Sequence, residues 1–258
     1  MPELNAEQLF VARHFSKAAA SYDASAKLQK RVIKQASNLL TLSPDSTLLD
    51  VGCGTGNLQK FATSIRYIGV DVAPGMLQIA KDKKVVDSNH TFVAADAHQL
   101  PFKDHSFTHV FSSLVWQWCE LSKVVQQAAR VLKPGGQLVF TTLIDGTLKE
   151  LKTAYQSLDS APHVNQFMPY KALNEVLSQC GHLKIQKIDT IEEKTCYGSA
   201  HELLQELKAI GANTVTQTRQ VKPLTKDRLA KLEAAYPINK NGQKFASWSV
   251  AYCVLNKI

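Results

Sequence analysis

The stretch Asp50-Val51-Gly52-Cys53-Gly54-Thr55-Gly56 closes a short apolar run, Thr47-Leu48-Leu49. Glycine at every second position lets a main chain approach a ligand where any Cβ would collide. A buried strand feeding such a turn places the ligand beyond the carboxyl edge of a parallel sheet, at the switch in strand order. The turn alone leaves the ligand open, because nicotinamide and flavin enzymes use the related G-x-G-x-x-G pattern. Here the spacing is G-x-G-x-G, and a carboxylate, Asp50, stands two residues ahead of the first glycine. Opposite charges attract, so that acid suits a cationic ligand with an α-amino group better than a pyrophosphate.

The rest of the chain supplies the sheet that this turn needs. Residues 47–51, 67–71, 91–96, 107–112 and 137–143 read as short buried strands. Helical segments are expected between them at 58–65, 74–82 and 122–132, with Pro74 in a first turn and Lys133-Pro134-Gly135-Gly136 as a stop. Strands alternating with helices at this spacing predict a parallel sheet covered on both faces. Residues 6–42 read as helices, with Leu28, Val32, Leu39 and Leu40 near one face. After residue 145 the pattern changes. Helices at 147–158 and 170–180 flank a polar loop, and 183–196 contains a sixth strand. Helices at 200–210 and 227–236 interrupt the sheet like a lid before a final strand at 248–255.

Chemistry-bearing residues fall at the carboxyl ends of these strands. Asp71 can accept two ribose hydroxyls of a bound nucleoside, or cap the helix that begins at Pro74. Asp96 is placed to meet an adenine amino group, and Ala97 offers a backbone N–H beside it. Val72 and Ser113 border the same crevice. Met76 and Leu77 either pack on the base or belong to the core.

Composition excludes several classes. No apolar run approaches the ~18 residues of a membrane span. The start Met1-Pro2-Glu3-Leu4-Asn5 lacks the basic and apolar regions of a secretory leader, so a cytoplasmic location is expected. Five scattered cysteines form no C-x-x-C pair, which argues against zinc or a disulfide framework. The formal charge of +8 favours encounter with anionic partners. No arginine-rich tail or nucleic-acid motif accompanies it, so no nucleic-acid partner is expected.

Taken in order, Leu49 to Gly56, Gly69-Val70-Asp71, Ala95-Asp96-Ala97 with Leu100-Pro101-Phe102, and Val131 to Gly136 resemble the motifs of class I S-adenosylmethionine-dependent methyltransferases. The resemblance covers residues 45–145. It implies a Rossmann-like α/β fold with a seven-stranded, mostly parallel sheet, helices on both faces and a helical lid insertion before the last strand. It also implies S-adenosylmethionine as cofactor. The expected organisation is a helical segment at 1–44 over the active site, a cofactor-binding core at 45–145, and a substrate-side region at 146–258 with its lid at about 198–237. The cofactor residues so implied are Asp50, Gly52, Gly54, Gly56, Asp71, Val72, Met76, Asp96, Ala97 and Ser113.

The flanks narrow the family. Val11 to Asp23 with Leu28-Gln29 resembles the N-terminal segment of the BioC family, the malonyl-[acyl-carrier protein] O-methyltransferases of bacterial biotin synthesis. Leu114 to Cys119, His163 to Phe167, Leu207 to Asn213, Leu229 to Tyr236 and Trp248 to Val254 are similar to that family too. The resemblance implies methyl transfer to the free carboxylate of a malonyl thioester, on acyl carrier protein or coenzyme A. A carboxylate with a pKa of about 4 is already ionised near neutrality, so neither a general base nor a metal is expected. Tyr22, His163, Arg219 and Trp116 are the expected acceptor-site residues, with Arg13 and Asn165 as further candidates and either Trp116 or Trp118 walling the pocket. Arg13, Lys17, Lys149, Lys152, Arg219, Lys222, Lys226 and Arg228 are candidates for docking an acidic carrier protein. A monomer is expected. A small-molecule or quinone C-methyltransferase, a non-catalytic cofactor-binding regulator and an RNA methyltransferase remain as alternatives. The last lacks its Asn/Asp-Pro-Pro-aromatic tetrapeptide after the fourth strand.

Overall fold

The computed structural model describes residues 4–83, 89–212 and 223–258. Seven strands form one sheet: β1 (Thr47–Val51), β2 (Arg66–Asp71), β3 (His90–Ala94), β4 (Phe107–Ser113), β5 (Leu132–Leu143), β6 (Leu183–Tyr197) and β7 (Lys244–Lys257). Their order is β3-β2-β1-β4-β5-β7-β6. The first five run parallel, and β7 runs antiparallel to both β5 and β6. The order reverses at β1, so the crevice for a ligand lies above β1 and β4.

Successive residues of the central strands feed opposite faces, as strand geometry requires. In β1, Leu48 enters one core, whereas Leu49 and Val51 enter the other. The first face is covered by α2 (Lys27–Ser37), α5 (Lys149–Gln156), α7 (Ala200–Ala209) and α8 (Lys226–Ala235), which contribute Leu28, Val32, Leu151, Leu203 and Leu232. The second is covered by α4 (Leu121–Val131) and α6 (Tyr170–Gln179), through Val124, Val125 and Leu177. α4 buries residues at i, i+3, i+4 and i+7, the stripe of an amphipathic helix. The expected lid insertion is α7 and α8, which lie between β6 and β7.

Several elements depart from the sequence reading, among them β5, which begins at Leu132 rather than at Gln137. The helix expected at 58–65 is only a 3-10 turn, Gln59–Phe61. Thr63 and Ser64 compete poorly for helix, and Ser64 adopts a left-handed φ of 65°. The last two strands are longer than expected. They zip together from Leu183↔Lys257 to Tyr197↔Lys244, with a bulge between Ile185 and Lys187.

α1 (Ala6–Ser25) opens with a capping box in which Asn5 and Gln8 each satisfy the other's backbone N–H. It lies across α3 (Pro74–Asp82) and α7, and small residues permit the contact. A Cβ on Gly75 would stand 2.7 Å from the Ser16 carbonyl oxygen, and one on Gly211 would stand 3.3 Å from Ala18. Ala18 and Ala19, both buried, therefore let a helix pass where larger side chains would not. Among the described residues, no helix is long and apolar enough to cross a membrane.

Candidate active site

The turn after β1 is pinned by its neighbour strand. The N–H groups of Gly52 and Cys53 both donate to the Val70 carbonyl, at 2.8 and 2.9 Å. Gly52 takes a φ of +74°, and a Cβ there would fall 2.4 Å from Val115. Gly54, at φ +53°, faces open space where a ligand can approach. Gly56, expected to border the ligand, is not among the residues that line the cleft. A Cβ there would meet Gln59 Nε2 at 2.1 Å and Ala80 at 3.1 Å, so the third glycine serves packing against α3.

Asp71 ends β2, and its carboxylate is held from two sides. Oδ2 accepts from Gly54 N–H at 2.8 Å, and Oδ1 accepts from Ala73 N–H at 2.8 Å. Burial raises its pKa, and these backbone donors pull it back. Asp50 is buried and accepts from the Tyr67 hydroxyl at 2.7 Å. Burial pushes its pKa up to about 7, against the lowering effect of that hydroxyl and with a further rise from the Asp71 charge. An ammonium group beside this buried acid would favour its ionised form.

Asp50, Gly52, Gly54, Asp71, Val72, Met76, Ala97 and Ser113 line one cleft of about 110 Å³. Asp96 does not. Its Oδ1 meets His98 Nδ1 at 2.7 Å, and its Oδ2 accepts from Gln8 Nε2 at 2.9 Å. The capping box at the start of α1 thus delivers a side-chain amide to the acid that was expected to meet an adenine amino group. Leu77 is buried core and, unlike Met76, stays out of the cleft.

A second cavity of about 420 Å³ adjoins the first. Its walls are mainly apolar and include Leu143, Leu148, Leu151, Leu207 and Trp248. Tyr22 borders both cavities. Burial, followed by the Asp71 and Asp23 charges, pushes its phenol far above the ordinary value, so it remains a hydrogen-bond donor. Its neighbour Asp23 accepts from Thr55 Oγ1 at 2.7 Å and Asn57 Nδ2 at 3.0 Å, and pairs with Lys83 Nζ at 2.7 Å. These bonds tie the end of α1 to the glycine turn and fix Tyr22 beside it. The sequence reading passed over Asp23, although an acid directly after Tyr22 was visible.

His163 lines the second cavity alone. Its ring stacks on Tyr155, with centroids 3.9 Å apart and planes 7° apart, and its Nε2 lies 2.8 Å from Asp159 Oδ1. Arg228 of α8 also binds Asp159 and, with His163, holds that carboxylate well below its usual range. Asn165 lines the same cavity, and Arg13 is exposed on α1 away from both. Arg219 lies outside the described residues.

The tryptophan assignment is corrected. Trp116 is 2% exposed and packs on Phe140 with ring centroids 4.4 Å apart, away from both cavities. Trp118 borders the two of them. The pair begins and ends a 3-10 turn, Trp116–Trp118. At three residues per turn, positions two apart face different directions.

Comparison with known proteins places this arrangement. Residues 49–140 match the model of a methyltransferase domain family. The chain is 36% identical to a malonyl-[acyl-carrier protein] O-methyltransferase of Serratia marcescens, over 95% of this chain and 94% of the relative. It belongs to that family. A second family member is the biotin biosynthesis bifunctional protein BioHC of Cellvibrio japonicus, 37% identical over 96% of this chain and 50% of the larger protein. Among solved structures, the YcgJ protein of Bacillus subtilis superposes with a TM-score of 0.65 at 19% identity, covering 88% of this chain and 98% of that one. That likeness shows the fold, and with the methyltransferase-domain match it bears out the expected Rossmann-like methyltransferase architecture.

Proposed function

We propose that the protein methylates the free carboxylate of a malonyl thioester carried on acyl carrier protein, using S-adenosylmethionine, and so forms a methyl ester for biotin synthesis. Its relatives are named for that reaction. The cleft fits the cofactor: open space stands before Gly54, Asp50 suits an α-amino group, and Asp71 suits ribose hydroxyls. Val72, Met76 and Ala97 would flank the base. When bound, the cofactor supplies a sulfonium-borne methyl group whose carbon is open to attack by an oxygen nucleophile.

The observation that carries the reading is the junction between cleft and cavity. Among the described residues, only Phe15, Tyr22, Gln29, Leu114 and Trp118 border both spaces, and none offers a base. A carbon acceptor would need one to remove its proton. A carboxylate arrives ionised and needs only alignment and removal of water. Tyr22 donates to it, while His163 and Asn165 line the chamber behind. Burying an unmodified carboxylate in later chain-extending enzymes would be costly, and the ester hides that charge.

Incubation with methyl-labelled S-adenosylmethionine and malonyl-acyl carrier protein tests the proposal. The expected product is a methyl ester that mild alkali cleaves to methanol. Transfer to a quinone or to RNA, with none to malonyl, would overturn it. Malonyl-coenzyme A in a parallel assay separates carrier preference from chemistry. A preference for the acidic carrier that fades with added salt would reflect the net positive charge.

A further inference from the structure

Methyl transfer takes place where the two cavities meet, so the polar atoms there decide how the nucleophile is held. Two of the side chains shared by both cavities, Phe15 and Leu114, are apolar. The remaining polar atoms are the Tyr22 hydroxyl, the Trp118 indole N–H and the carboxamide of Gln29.

Gln29 sits half-buried in the first turn of α2, one turn before Ile33, with which it lines the cofactor cleft. Its Oε1 is buried with no hydrogen-bond partner, and its carboxamide makes no hydrogen bond among the described residues. An orphaned buried amide costs stability, and a leucine would fill this position at less expense. That oxygen is an acceptor and cannot meet an anion, so what the amide offers a carboxylate is its Nε2, which donates to no protein atom among the described residues.

Charge identifies the ligand. No lysine or arginine among the described residues lines either cavity, and the histidines that do are engaged elsewhere: His14 with the Phe10 carbonyl, His98 with Asp96 and His163 with Asp159. An anion there would be met by neutral donors, with the cofactor's sulfonium as its counter-charge. We propose that Gln29 is a substrate-binding residue, which with Tyr22 forms an uncharged two-donor cradle for the carboxylate that receives the methyl group. This rests on the carboxyl-methylation reading above.

The chemistry favours neutral donors. One carboxylate oxygen uses a lone pair to form the new C–O bond, the C–S bond breaks, and its pair returns to sulfur. No proton moves, and the two opposite charges cancel. A cationic partner would stabilise the ionised ground state more than the transition state and so slow the step. Neutral donors orient the carboxylate while leaving its charge available.

The test uses Gln29→Leu and the near-isosteric Gln29→Met. Both should lose about 10- to 100-fold in kcat/KM for malonyl-acyl carrier protein, the range expected for a lost hydrogen bond to a charged group. Calorimetry should show a similar loss in affinity of the malonyl thioester for the protein saturated with S-adenosylhomocysteine. Affinity for S-adenosylhomocysteine itself should stay within about twofold, and Tm should hold or rise because an orphaned acceptor has gone. Wild-type kcat/KM and thioester affinity in either variant would overturn the assignment. So would a lowered Tm and weakened S-adenosylhomocysteine binding in both variants, which would mark Gln29 as structural. A wild-type protein that forms no ester at all would instead sink the carboxyl-methylation reading and this assignment's ground with it.

Discussion

The floor and the roof of this site are built in different ways. The floor is main chain: the N–H groups of Gly52 and Cys53 pinned to Val70, and an aspartate held between the amides of Gly54 and Ala73. The roof is side chain: Tyr22, Gln29, Trp118 and His163 come from helices and loops spread along the chain. A floor of this kind is set by one strand and its turn, so it changes little when distant residues do. The roof depends on packing between helices far apart in sequence, and it is there that acceptor specificity can vary without loss of the cofactor.

Substitutions can break that contrast. The largest effect is expected for Asp71→Ala. It strands two backbone N–H groups, each costing about 1–3 kcal/mol, and removes the expected ribose acceptor. Cofactor affinity, read by calorimetry, should fall at least about 100-fold, and unchanged affinity would show the nucleoside to lie elsewhere. A roof substitution should act on the other substrate. Tyr22→Phe should lower kcat/KM for the malonyl thioester by about 10- to 30-fold, as for one lost hydrogen bond to an ion, with cofactor affinity nearly unchanged. An equal loss in both would mean that Tyr22 belongs to the floor.

The smallest effect is a pH dependence. Asp50 has its pKa raised to about 7 in the free protein, and a bound ammonium group would lower it again. Binding therefore expels a proton below pH 7. Cofactor affinity should be flat above that pH and weaken by about tenfold for each unit below it, until the lowered pKa of the complex is reached. The stability of the free fold runs the other way. A carboxyl whose folded pKa is raised contributes less as pH climbs from about 4 to 7. Asp50→Asn should abolish both slopes, and slopes that persist in this variant would point to another group.

The same contrast explains what was legible in the sequence. The strand-turn around Gly52 and Gly54, and the acid at the end of β2, are local patterns with one physical solution each. The sheet followed from alternation of apolar runs and helical stretches. Local pattern failed where long-range geometry decides. Nothing near Asp96 announces that Gln8, 88 positions away, will reach its carboxylate. Trp116 and Trp118 look alike in sequence, and only the 3-10 turn sorts one into the core. Gly56 reads as part of a ligand loop, yet its neighbour is Ala80 on α3. Gln29 lay inside a family-like segment without any mark of its own, because its distinction is the absence of a partner.

α1 has a consequence for the order of events. At one end Gln8 fastens to Asp96, at the other Asp23 fastens to the glycine turn, and the helix between rests against α3 and α7. Gln8 also lines the cleft, so a nucleoside settling there would press on one end of the helix, and the same rod bears on the helix that walls the acyl chamber. Compulsory-order kinetics are expected, nucleoside first, and initial-rate patterns showing random addition would refute them. A single beam resting on both rooms makes the second door wait for the first.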